Sequence, residues 1–84
     1  MSTIEAALRS ADFDEWEAAV RPRLIVVFSL VTTLPERDVE ELVEDAIAHA
    51  QEWWPIVAAT GHPHAWAYGT VRKLAEERFP GACP

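Results

Sequence analysis

Between Pro35 and Pro55, the apolar residues Val39, Leu42, Val43, Ala46, Ile47, Ala50 and Trp54 recur at steps of three and four. That spacing lines them up along one face of an α-helix. The opposite face is acidic. Glu36, Asp38, Glu40, Glu41, Glu44, Asp45 and Glu52 stand against the single base Arg37. Pro35 suits a first helical position, because its missing N–H would be unpaired there anyway. The acids that follow favour the positive end of the helix dipole. Pro55 should end or bend the helix. A helix with one apolar face has to bury that face against other elements, so the rest of the chain must supply them.

Two further blocks meet that need. Phe13, Trp16, Val20, Leu24, Val27, Phe28 and Val31 form a second stripe at helical spacing. Asp12 and Glu15 have capping-box spacing at its start. Pro22 lies inside the stripe and predicts a kink or break near residues 18–22, since proline removes a backbone bond and clashes with the preceding turn. LIVVFSLV, residues 24–31, is also good strand material, but the stripe continues through it in register and favours helix. The third block starts near Pro63, with Ala65, Trp66, Ala67, Val71, Leu74 and Ala75 as its apolar positions, and stops at Pro80-Gly81. Gly69 is a weak spot there that would let another helix approach closely. Ahead of the first block, Ser2 and Glu5 repeat the capping-box spacing. A short helix and an unordered start both fit that leader. The expectation is an all-α fold, a small three-helix bundle, with a leader over 1–11, the helical domain over 12–80 and a tail over 81–84.

At 84 residues the chain is one domain at most. One cysteine, Cys83, excludes an internal disulfide framework and a multi-cysteine zinc site. No secretory leader is visible in MSTIEAALRS, and the run LIVVF is too short to span a bilayer. A cytoplasmic domain is expected. Seven basic residues against fourteen acidic ones give a net charge of −7. Taken whole, that charge opposes nucleic acid, but its distribution is uneven. Residues 63–79 carry Arg72, Lys73 and Arg78 against Glu76 and Glu77, a slightly basic segment.

The stretch GHPHAWAYG, residues 61–69, invites a metal reading. His62 and His64 flank a proline, with His49 elsewhere. Structural zinc wants four ligands, usually including cysteine, and only Cys83 could contribute. No metal and no cofactor are expected. Nor is an enzyme. Cys83 sits in a GACP tail without an orienting partner for a Cys–His pair, and there is no Gly-rich phosphate loop. Trp66 and Tyr68 lie two apart and point to different sides of a helix. One of the two is expected in the core and the other more exposed and open to base contact. Phe13, Trp16, Leu24, Leu42, Val43, Ile47, Trp54 and Leu74 complete the candidate core, with Trp53 covering an edge.

Three segments, in order, resemble a known family. FDEWEAAVRPRL (13–24) matches a helix pattern F-x-x-L/W-x-x-x-x-R-P-R-L. VEELVEDAIAHA (39–50) is similar to A-E-D-L-V-Q-E-A-F-x-x-A. HPHAWAYGTVRKLAEER (62–78) is similar to N-P-R-A-W-L-Y-x-x-A-R-N-L-A-x-D-R, in phase and without a gap. The chain thus resembles region 2 of the extracytoplasmic-function group of the sigma-70 family, bacterial transcription initiation factors. The resemblance covers residues 13–79. It implies docking of the second helix on a basic coiled coil of the RNA polymerase clamp, with Glu41, Glu44 and Asp45 at the docking positions. It also implies −10 promoter contact through the third helix and the loop before it, here His62, His64, Tyr68, Arg72 and Lys73, and it places Trp66 in the core, which leaves Tyr68 as the aromatic open to base contact.

The departures weaken the DNA half of that expectation. The family's RN pair is Arg72-Lys73, its aspartate is Glu77, and its loop asparagine and following arginine are His62 and His64. Ala67 replaces a leucine after Trp66. FPGACP stands where basic residues often follow, and IVVFSLV where the first helix normally carries arginines. Region 4, the second DNA-reading domain, is not expected in this chain. Sparse phosphate contacts mean weak DNA affinity. The alternative is a degenerate sigma-like module that binds an anti-sigma factor or another protein. If Leu24 to Val31 is helical, Ile25, Val26 and Leu30 cannot all face inward, so an exposed apolar patch would mark a partner surface or self-association.

Overall fold

The computed structural model describes residues 3–83, with side chains described from Asp12 onward. Among these residues the chain forms four α-helices and no strand: α1 Thr3–Val31, α2 Glu36–Glu52, α3 Trp54–Ala59 and α4 Pro63–Arg78. The all-α bundle expected from periodicity is what forms. At about 1.5 Å per residue, the 29 residues of α1 set the long axis of a particle measuring 45 × 18 × 18 Å.

The first block departs from expectation at both its start and its middle. α1 begins at Thr3 and passes through Asp12, so Asp12 and Glu15 cap nothing. Residues 3–11 of the leader are the first turns of the same helix, and the Ser2–Glu5 capping box lies outside the described residues. Pro22 does not break α1 either. The pattern around it supplies the reason. Phe13, Trp16, Val20, Leu24 and Phe28 are all buried along one line, so packing fixes the helix on both sides of the proline. Pro22 itself is exposed, which puts its ring away from the core.

α2 is the centre of the bundle. Its stripe, Val39, Leu42, Val43, Ala46, Ile47 and Ala50, is fully buried, and it packs against both α1 and α4. Pro35 sits one position earlier than expected, as the cap residue. Its carbonyl accepts from the N–H groups of Asp38 and Val39 at 3.0 and 3.2 Å. At the other end the chain turns at Trp53 and starts a fourth helix, the short α3, which carries Pro55 in its first turn. Proline is tolerated there because first-turn N–H groups have no helical partner. α3 seats Trp54 and Val57 in the core.

Trp54, Trp16 and Phe13 form an aromatic cluster, with centroid separations of 5.1 Å (Trp16–Trp54), 5.3 Å (Phe13–Trp54) and 5.9 Å (Phe13–Trp16). Offset and edge contacts of this kind add to the area they bury.

On α4 three of the six expected apolar positions are fully buried and two more pack against the core. Ala67, Val71 and Ala75, spaced by four, are the buried line. Trp66 and Leu74 flank it and are only partly buried. The other candidate core residues, Phe13, Trp16, Leu24, Leu42, Val43, Ile47 and Trp54, are buried. α4 makes its main packing contact with α2. Gly69 plays no part in that approach: it is exposed, and a Cβ there would meet nothing within 4 Å. Pro80-Gly81 ends α4 as expected. Gly81 adopts φ +87°, and Ala82 folds back into the core.

Candidate functional site

The acidic face of α2 borders a groove of about 410 Å³ lined by Arg37, Glu40, Glu41, Glu44, Asp45 and Arg78. The helical spacing that buries Val39, Leu42, Val43 and Ala46 turns Glu40, Glu41 and Glu44 outward. The three docking candidates share this face but differ in their neighbours. Glu44 accepts a hydrogen bond from Arg21 of α1 at 2.6 Å. Asp45 pairs with Arg78 of α4, also at 2.6 Å. Glu41 has no ion-pair partner among the described residues. Arg21 also reaches Glu17 on its own helix at 3.2 Å. The Glu44 hydrogen bond is the main cause that holds the Arg21 guanidinium above its ordinary pKa, with partial burial working against it.

The face is therefore less negative than its sequence suggests. With Arg21 and its second partner Glu17 counted, five carboxylates, Glu17, Glu40, Glu41, Glu44 and Asp45, meet three guanidiniums, Arg21, Arg37 and Arg78. The Glu17–Arg21 spacing was visible in the sequence. The pairing of Arg21 with Glu44 and of Arg78 with Asp45 was not, because it depends on how three helices pack.

The five DNA-contact candidates are divided between different surfaces. His62 is the cap residue of α4, and its carbonyl accepts from Trp66 N–H at 3.1 Å. Its own N–H is held by the Thr60 hydroxyl at 3.1 Å, in a turn where Gly61 takes φ +75°. His64 is exposed and stands edge-on to Trp16 at 6.2 Å. Tyr68 follows four residues later and Arg72 four after that, on the same side. The Tyr68 ring lies against Phe28 at 4.9 Å, leaving it 39% exposed. Arg72 lies near Glu76 at 3.4 Å. Phe28, Val31, Tyr68, Arg72 and Cys83 line a small half-open pocket of about 150 Å³. Lys73 faces elsewhere, into a groove of about 340 Å³ shared with His49, Trp53, Trp66 and Glu77. The 52% exposed Trp53 on that groove is open rather than an edge cover.

No group of three or more potential metal ligands occurs among the described residues. No helix among them is long and apolar enough to cross a membrane. No family model, curated protein or solved structure matches the chain.

Proposed function

We propose that this chain is a sigma region 2-like domain that works in bacterial transcription initiation, in the cytoplasm, by docking on the RNA polymerase clamp helices through the acidic face of α2. The observation that carries the reading is the position of Glu41. It is exposed, without an ion-pair partner among the described residues, and beside Glu44 and Asp45 at the positions where the resemblance puts docking residues. Complementary charge of this kind mainly speeds and orients encounter. Promoter contact is a minor part of the proposal. Arg72 is near Glu76, Tyr68 is half covered, and Lys73 faces another groove, so −10 DNA would meet few free cations. The test is binding of the clamp coiled coil and, separately, of single-stranded −10 DNA at low salt. Clamp binding that Glu41→Lys weakens supports docking. Clamp binding untouched by that reversal sinks it.

A second reading, a protein-binding module without promoter recognition, draws on the outer side of α1. Val26, Leu30 and Val31 are 57%, 80% and 41% exposed, while Leu24 and Phe28 of the same stretch are buried. Any self-association through Leu24–Val31 therefore rests on Val26, Leu30 and Val31. Sedimentation at rising concentration tests it: a mass that stays monomeric removes the self-association form of this reading.

A further inference from the structure

The tail after α4 does more than end the helix. The Phe79 N–H donates to the Ala75 carbonyl at 2.8 Å, Gly81 takes φ +87°, and the Ala82 N–H donates to the Phe79 carbonyl at 3.1 Å. This turn buries Ala82 and brings the next residue, Cys83, beside the end of α1 and the middle of α4. There Cys83 completes the half-open pocket of about 150 Å³ lined by Phe28, Val31, Tyr68 and Arg72. Two rings supply much of the wall: Phe28 is buried, and Tyr68 lies against it at 4.9 Å. Val31 and the half-buried Cys83 thiol, which packs as a small apolar group, add to it. The one charged lining group is Arg72. Only its Nε is engaged, with Glu76 at 3.4 Å, and its two terminal nitrogens have no partner among the described residues.

We propose that this pocket binds a small aromatic carboxylate, with its ring against Phe28, Val31, Tyr68 and Cys83 and its carboxylate on the terminal nitrogens of Arg72. An apolar cavity of about this volume holds a benzene-sized body. A flat ring makes offset and edge contacts with Phe28 and Tyr68 that a straight chain does not. The guanidinium fork matches a carboxylate through two parallel N–H···O bonds. An apolar lining with one or two placed polar groups is the usual make-up of a small-molecule site. The net charge of −7 opposes anions in general, so selective uptake of one has to come from the pocket itself. The pocket shares no lining residue with the acidic groove of α2, and the proposal does not depend on the docking reading.

The probe is benzoate, titrated into the full chain and followed residue by residue by NMR. Benzyl alcohol keeps the ring without the charge, and acetate keeps the charge without the ring. Saturable benzoate binding is expected at roughly 1–10 mM, the scale for so small a ligand, with shifts at Tyr68, Arg72 and Cys83 and with both controls at least about threefold weaker. Arg72→Gln should weaken benzoate about three- to tenfold. Cys83→Leu, which fills the pocket and leaves the charge in place, should weaken it as much. Thermal melts check that both variants fold. A second readout needs no variant: benzoate at four times its Kd should slow alkylation of Cys83 by iodoacetamide about fivefold, by occupancy alone. Shifts that do not saturate overturn the proposal. So does either control binding as tightly as benzoate, a folded variant binding as tightly as the parent, or alkylation that benzoate leaves unchanged.

Discussion

Replacing Pro22 with alanine should make this domain markedly more stable. Pro22 sits inside a continuous helix, where it cannot donate the hydrogen bond that the Ala18 carbonyl would accept. In a helix interior, proline is about 3 kcal/mol less favourable than alanine. Two features reduce the recoverable part here. Ala18 is exposed, so water can solvate its carbonyl, and the Pro22 ring contributes apolar surface beside Val26. Because Pro22 is also exposed, the substitution removes no core packing. A gain of about 2 kcal/mol remains. For a domain of this size, 1 kcal/mol moves Tm by roughly 4–8 °C, so Pro22→Ala should raise Tm by roughly 8–16 °C. Thermal and urea unfolding followed by far-UV circular dichroism measures it. An unchanged or lowered Tm would refute the reasoning, because it would mean that α1 does not run through residue 22 as one helix.

Gly61→Ala should cost about 1 kcal/mol in the same assay, because φ is +75° with open space around the missing Cβ, so only backbone strain is added. A neutral result would mean that the turn before α4 has another shape. Leu30→Glu should leave stability within about 0.5 kcal/mol, since Leu30 is 80% exposed, while abolishing any concentration-dependent mass. A large loss of stability would show that Leu30 is covered.

The parts of the fold that were legible in the sequence are those set by local pattern. The α2 stripe, the start of α4 at Pro63 and the stop at Pro80-Gly81 follow from periodicity and from proline and glycine chemistry. Other features depended on tertiary packing. Pro22 is carried through α1 because Val20 and Leu24 are held on either side of it. On α4, Ala67, Val71 and Ala75 are fully buried while Trp66 and Leu74 pack against the core only in part, a division that depends on how α4 lies on α2. At the candidate site the acidic face was legible, but its internal arginines were not. Arg21 and Glu44 are 23 residues apart in sequence and meet only once α1 lies along α2.

The most direct test of the account is a titration of the clamp coiled coil into the parent chain and into Glu41→Lys at low salt. Glu41 is exposed and stands outside both internal ion pairs, so its reversal should leave the fold intact. The account predicts binding by the parent and a weakening of roughly fivefold or more on reversal, the equivalent of about 1 kcal/mol. Identical affinities, or no binding by the folded parent chain, would contradict it.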